Sequence, residues 1–328
     1  SARTEPLFVI FDFMARSGLL LCVLVVCTSL PTRSTLVEAE DLSLEGPFPA
    51  FALLQTQTNR CGDAYENFSA GGVSVSYYAY RPCEPSVAIV LSIHCYWSCT
   101  AHENAFLPLE NMASTRGYTL LAPEGHAISW NAEACCGLAQ RAGRDDAALL
   151  RALVSSEDMG RHLPVFVSGF SNGGFMASMM LRRFPGWISG AVIASGHVYE
   201  NLDSFVSTPV LVVWGEDDVL VRKGGCCRTQ VGNASAECCC EISAHGPEDC
   251  VGTSAIFDAW LAANACSGAA AGGSDARCLL GRGCSNHTEM CLLPSSDSGI
   301  KDGHFVDASQ PAESPIRERI DAFFHGLL

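Results

Sequence analysis

The sequence predicts an α/β protein with a mostly parallel central sheet and helices on both faces, on three observations. Short apolar runs alternate with helical stretches of roughly ten residues or more, the rhythm of strand-helix-strand units. One run, residues 87–93 (VAIVLSI), is continuously apolar, as a strand buried on both faces must be. And a glycine-rich turn at residues 169–174 (GFSNGG) separates strand-like LPVFVS from helical FMASMMLRRF.

Along the chain, residues 73–80 (VSVSYYAY) alternate apolar and polar and read as an edge strand. Further strands are expected at Tyr118 to Leu121, Pro164 to Val167, Ile188 to Ala194 and Pro209 to Trp214. Helices are expected from Asp145 to Val154, opened by an Asp cap, and from Asn172 to Phe184, stopped by Pro185. Two more are expected from Ser254 to Ala263 and from Pro315 to Phe324. Two segments break the rhythm. Residues 222–252 hold Cys226, Cys227, Cys238, Cys239, Cys240 and Cys250 among Gly, Ser and Asn, and read as a disulfide-stapled insertion. Ser267 to Ser298, with Cys278, Cys284 and Cys291, reads as a second stapled loop, its Ala/Gly run at 268–273 a flexible tip. No internal repeat is visible.

The 328 residues are enough for two domains of roughly 150 residues or one large α/β domain. The expected organisation is a single domain over 60–328, preceded by an extension at 35–59. With 48% hydrophobic and 17% charged residues, wholesale disorder is excluded. A formal charge of -15 repels a phosphate backbone, which excludes nucleic acid as the natural partner. Eighteen cysteines point to an oxidising compartment. Consistent with that, residues 14–34 (MARSGLLLCVLVVCTSLPTRS) read as a secretory signal, with Met14 the expected start and the residues before it upstream of the translated protein. Its apolar run from Gly18 to Leu30 is shorter than the ~20 residues of a membrane span, so no permanent anchor is expected. Cys22 and Cys27 would leave with the signal, taking eighteen cysteines to an even sixteen, enough for eight disulfides. Adjacent cysteines such as Cys135 and Cys136 should each reach a different partner. Asn67, Asn233 and Asn286 are sequons for N-linked glycan.

The pentapeptide Gly169-Phe170-Ser171-Asn172-Gly173 fits G-x-S-x-G in the strand-turn-helix setting of a nucleophile elbow. There the serine hydroxyl projects from the carboxyl edge of the sheet, at a helix amino terminus that favours negative charge. A serine needs a histidine to take its proton, and the histidine needs a carboxylate to hold its tautomer. In α/β-hydrolases the chain order is Ser, acid, His. Downstream of Ser171, the strand at Pro209 to Trp214 runs into Gly215-Glu216-Asp217-Asp218, and Asp218 is favoured over Asp217 and Glu216. For the base, His304 stands before the final helix; His197, His245, His287 and His325 are alternatives. One oxyanion donor is the N–H of Asn172, after the nucleophile. The other should come from the turn His94-Cys95-Tyr96-Trp97, with Cys95 and Tyr96 the candidates. Tyr96, Trp97 and Trp130 follow expected strands and either line a substrate pocket, as Trp97, Trp130 and His197 are expected to do, or cover the sheet edge.

At these residues the chain resembles the α/β-hydrolase family of secreted polyhydroxybutyrate depolymerases and feruloyl esterases, over roughly residues 60–325. Beyond the elbow, the matching segments are Trp130-Asn131 with Cys135-Cys136-Gly137, the pair Asp145-Asp146 ahead of LLRAL, Gly215 to Val221, Gly224-Gly225, and Trp260 with Asn264 and Cys266. The resemblance implies a single α/β-hydrolase domain with Ser171 as nucleophile, Asp218 as acid and His304 as base. It implies hydrolysis of carboxylic esters, either hydroxyalkanoate polyester or feruloyl-polysaccharide, with no metal or organic cofactor. Two positions depart from the family. Where it has His-Gly this chain has His94-Cys95, placing a Cβ in the oxyanion turn, and where it often has Gly-Gly-His this chain has Asp302-Gly303-His304.

Three other readings compete. His94, Cys95, Cys99 and His102 have zinc-ligand types, but disulfides and the hydrolase turn account for them. A serine peptidase of the same fold needs the same triad, and activity toward an ester but not the matched amide separates the two. A catalytically inactive extracellular binding protein on this scaffold is the reading outside enzymes.

Overall fold

A strand survives in the middle of a sheet only if both of its faces are apolar, and five consecutive runs of this chain meet that condition. In the computed structural model, which describes residues 61–96, 109–132, 135, 137–196, 205–216, 218, 221, 223, 225–226, 250–272, 275–293 and 315–328, they become the centre of one sheet. All these residues fall in one unit, Gln57–Leu328. The expected signal and extension, and most of the segment 222–252 expected to be an insertion, lie outside the described residues.

The elements are β1 (Gly62–Ala70), β2 (Val73–Arg81), β3 (Ala88–Ile93), α1 (Leu109–Arg116), β4 (Tyr118–Pro123), α2 (Gly137–Arg141), α3 (Asp146–Asp158), β5 (Val165–Phe170), α4 (Asn172–Arg183), β6 (Gly190–Ala194) and β7 (Val210–Gly215). After them come β8 (Gly225–Cys226), β9 (Cys250–Val251), α5 (Thr253–Ala263), β10 (Gly268–Gly272), β11 (Asp275–Arg282), β12 (Thr288–Leu293) and α6 (Pro315–His325). The main sheet has ten strands in the order β1-β2-β4-β3-β5-β6-β7-β12-β11-β10, and β8 pairs with β9 separately. β4, β3, β5, β6, β7 and β12 are mutually parallel. β1 and β2 add to one side, and β11 and β10 to the other, as antiparallel strands.

Apolar side chains fill both faces. On one, Leu149, Leu150 and Leu153 of α3, Phe175, Met176 and Met180 of α4, and Ile256, Phe257 and Trp260 of α5 are buried in one cluster with Ile89, Leu91 and Val167. On the other, Leu109, Met112 and Ala113 of α1 and Ile320, Phe323 and Phe324 of α6 are buried with Val90, Phe166 and Val192. The alternation of Leu91 with Val90 between the two clusters is the period-two pleat expressed as packing. The expected Asp cap is present: Asp145 accepts a hydrogen bond from the N–H of Ala148 at 3.0 Å.

Three expectations are corrected. β2 is not the edge, because the polar segment 62–70 forms β1 and pairs with it along its length. Only Phe68 of β1 is fully buried, so its sequence carries no strand-like apolar run. The stretch from Ser267 onward is not a loop but β10, β11 and β12, and the Ala/Gly run is strand β10 rather than a tip. Cys278 lies opposite Cys291 across β11 and β12 and is disulfide-bonded to it. Not every cysteine pairs: Cys61–Cys83 and Cys266–Cys284 are disulfides and Cys135 is disulfide-bonded, but Cys95 is a buried free thiol.

Two polar clusters tie strands to the helices packed on them. Arg81 donates to Glu66 at 2.8 Å and to Glu157 at 2.6 Å, tying β1 and β2 to α3. Asn264, with no exposed surface, accepts from the Thr208 N–H and the Ser207 hydroxyl and donates to the Thr208 carbonyl and the Thr288 hydroxyl. It joins the end of α5 to the entries of β7 and β12. Asn264→Ala strands the Thr208 N–H and C=O in the interior and is expected to lower unfolding free energy by about 2–4 kcal/mol in urea titration. A change under about 0.5 kcal/mol would show that water replaces the amide.

Candidate functional site

The carboxyl ends of β3, β5, β6 and β7 lie on one edge of the sheet because the strands are parallel and in register. Ser171 follows β5 there, with φ 53° and ψ -121°, a combination that costs a non-glycine residue on the order of 1–3 kcal/mol. The neighbouring turn leaves no room for side chains. A Cβ on Gly169 would stand 2.1 Å from the Gly173 carbonyl oxygen, and one on Gly173 would stand 2.0 Å from that of Ile93. The first turn of α4 is therefore seated directly on the end of β3. The Ser171 N–H donates to the Ala194 carbonyl at 2.9 Å, which locks the turn to β6. The first N–H groups of a helix have no acceptor inside it, and here they face the same edge as Ser171.

Asp218 is in the turn after β7, 5% exposed. Its Oδ1 accepts from the Val221 N–H at 2.7 Å, and the Val221 carbonyl accepts from the buried Trp214 indole at 2.7 Å, so the turn is closed on itself. Glu216 is exposed and pairs with Lys223 at 3.6 Å. Asp217, His304, Trp97, His197 and His245 lie outside the described residues, as do Cys99 and His102 of the zinc alternative. His287 is engaged elsewhere, against Glu289 at 3.0 Å, and His325 is exposed at the end of α6.

The turn after β3 is built around His94, which is 1% exposed. Its Nε2 accepts from the Gly125 N–H at 2.8 Å, so that nitrogen carries no proton, and Nδ1–H donates to the Cys95 carbonyl at 2.6 Å. Burial holds the ring neutral, its pKa lowered from 6.5 to about 4. Cys95 is buried in the second core cluster, so the extra Cβ is taken up by the core, and burial pushes its thiol up to about 11. That thiol stays protonated and is no nucleophile at neutral pH. Tyr96 packs over Gly137, where a Cβ would meet its ring at 2.6 Å and where φ is +79°.

Trp130, expected to line a pocket or cover the sheet edge, is placed in the core. It has no exposed surface and its indole N–H donates to the His94 carbonyl at 3.0 Å, 4.9 Å between rings, which makes it part of the support beneath the turn. Its own backbone is clamped by Asn172: the Trp130 N–H donates to Oδ1 at 2.7 Å, and Nδ2 donates to the Trp130 carbonyl at 3.1 Å. Asn131 and the Asp pair continue the scaffold. The Asn131 N–H donates to Asp146 at 2.8 Å, and its side chain donates to the Arg144 carbonyl at 2.6 Å. Trp130, Asn131 and Asp146 are thus joined with Asn172 in a polar frame beside the Ser171 turn, while Asp145 is exposed at the start of α3. Sequence reasoning named these segments but missed the side-chain clamp of Asn172 and the pivot of His94, which no spacing reveals. It also missed Ser195, a buried residue with φ 45° just after β6 whose hydroxyl has no hydrogen-bond partner among the described residues.

No protein-family model matches this sequence, and no curated protein does. Among solved structures, the chain is similar to the poly(3-hydroxybutyrate) depolymerase LpqC from Bordetella parapertussis, at 15% identity and a TM-score of 0.50, over 82% of this chain and 91% of that one. The present chain has the α/β-hydrolase fold. An acetyl xylan esterase from Aspergillus awamori (14% identity, 77% and 94% covered, TM-score 0.47) and a carboxyl esterase from Bacillus coagulans (11%, 82% and 99%, TM-score 0.46) are also found. In this α/β-hydrolase sheet the elbow stands on β5 at the centre, and no helix among the described residues is long and apolar enough to cross a membrane.

His94 should remain the neutral Nδ1–H tautomer down to about pH 4, read from nitrogen-15 shifts of labelled histidine; an imidazolium at pH 6 would contradict the pivot. Because its folded pKa lies below the unfolded one, the unfolded chain binds the extra proton first. Its contribution to stability is therefore complete above about pH 6.5 and is lost progressively as pH falls toward about 4. Trp130→Ala is expected to cost about 3–5 kcal/mol of stability, measured by denaturant unfolding, since it empties a core position.

Proposed function

We propose that this protein is a serine esterase working through an acyl-enzyme, with Ser171 as nucleophile, His304 as base and Asp218 as the acid that orients it. The observation that carries the reading is the backbone of Ser171: a strained φ and ψ between glycines whose Cβ positions are filled by backbone, at the carboxyl edge of a parallel sheet. Strain of that kind persists only where the surroundings impose it, and in a nucleophile elbow it serves to expose the serine hydroxyl. The burial of Asp218, against the exposure of Glu216, supports Asp218 as the acid.

In this mechanism Ser171 Oγ attacks the ester carbonyl as His304 accepts its proton. The oxyanion that forms is held by the N–H groups of Asn172 and Tyr96, each such donor being worth on the order of 3 kcal/mol in the transition state. Collapse expels the alcohol with the proton from His304, and water, deprotonated by the same imidazole, releases the acid. No metal or organic cofactor enters. The substrate class proposed is a carboxylic ester, of the hydroxyalkanoate polyester or feruloyl-polysaccharide type; the similarity to the depolymerase LpqC makes poly(3-hydroxybutyrate) the first polymer to offer. The disulfides and the amino-terminal signal support an extracellular site of action.

A fluorophosphonate probe should label the oxidised, folded protein at Ser171, with labelling abolished in Ser171→Ala and reduced at least about a hundredfold in rate in His304→Ala. Peptide mapping of the adduct checks the site. Absence of labelling in folded protein would favour the inactive binding scaffold, and cleavage of a matched amide as fast as the ester would favour a peptidase.

A further inference from the structure

We infer that the Asn172 side chain and the His94 imidazole are positioning residues that hold the two oxyanion N–H groups in one rigid frame through Trp130. The inference rests on the serine-hydrolase reading above and deepens it.

In a trans peptide the C=O and the N–H point in opposite directions, so fixing the Cys95 carbonyl fixes the direction of the Tyr96 N–H. His94 Nδ1–H fixes that carbonyl at 2.6 Å. His94 is itself held on its other nitrogen by the Gly125 N–H at 2.8 Å and at its own carbonyl by the Trp130 indole at 3.0 Å. Trp130 is gripped at both backbone polar groups by the side chain of Asn172, the residue whose N–H is the other oxyanion donor. The path from one donor peptide to the other runs through buried groups: His94, Trp130 and Asn172 are at most 1% exposed. Water does not compete for these hydrogen bonds, so the frame is stiff.

A second observation points the same way. The turn that brings Gly125 and Trp130 to His94 contains two consecutive non-glycine residues at positive φ, Ala127 at 47° and the β-branched Ile128 at 62°. A Cβ on Gly125 would stand 2.3 Å from the Ser129 carbonyl oxygen. This turn is held in a costly shape, and its product is the placement of the Gly125 N–H and the Trp130 indole on His94.

The test measures kcat, KM and the affinity of a boronate transition-state analogue in Asn172→Asp, His94→Gln and the double variant, beside wild type. Each single variant should lower kcat and analogue affinity in parallel, by roughly tenfold to a hundredfold, with KM within about twofold. The double variant should lose less than the product of the single losses, because both act through Trp130. Folded variants with unchanged kcat and analogue affinity, or losses that multiply, would overturn the inference. Should a variant not fold, wild type decides: the His94 Nδ1 proton must exchange slowly both free and in the boronate adduct, and fast exchange in either state overturns the frame. Failure of the serine-hydrolase reading is separate, since wild type would then take up neither fluorophosphonate nor boronate.

Discussion

The structure depends on a gap the size of a hydrogen atom. The first turn of α4 rests on the carboxyl ends of β3 and β5 so closely that Gly173 has the Ile93 carbonyl where a Cβ would be, and Gly169 has that of Gly173. A methyl group at either place would lift the helix from the sheet. Ser171 would then relax from its strained backbone, and the helix amino terminus would withdraw from the carboxyl edge of the sheet. The apolar filling of both faces keeps the strands in register so that this contact can form.

Around that contact lies a layer of buried polar groups whose partners are each other. Asp146 takes the Asn131 N–H, Asn172 takes both polar groups of the Trp130 backbone, and His94 bridges Gly125 to Cys95. Loops would ordinarily be the mobile part of such a domain, because exposed backbone exchanges its hydrogen bonds with water. Here irregular backbone is given fixed side-chain partners inside the protein, so the strand ends behave as an extension of the core. Burial keeps His94 neutral, and a charged ring would in addition have to donate from Nε2 toward the Gly125 N–H.

Several parts of this arrangement are legible in one dimension. The elbow is, because glycine tolerance of close approach leaves a mark at fixed spacing. The central strands are, because burial on both faces demands unbroken apolar runs. β1 and β10 are not, because their residues are mostly small or polar and their strand state is conferred by neighbours, β2 for β1 and β11 for β10; β11 and β12 hold only short apolar stretches among polar residues and are fixed by pairing with β7 and by the Cys278–Cys291 disulfide. Trp130 was equally open to two readings, since an aromatic after a strand can face solvent or the core, and only the position of the His94 carbonyl selects the core.

By itself, the sequence determined the class of fold, the central strand set, the elbow and the acidic turn after β7. These follow from local period, from glycine and from chain order, which do not depend on what packs against them. Tertiary structure alone decided that Asp218 is buried and Glu216 exposed, that Cys95 is a free thiol, and what Trp130, His94 and Asn172 hold. The last of these is settled by contacts between residues some thirty or more apart in the chain, as between Trp130 and Asn172 or Gly125 and His94, and no pattern within a single segment records them.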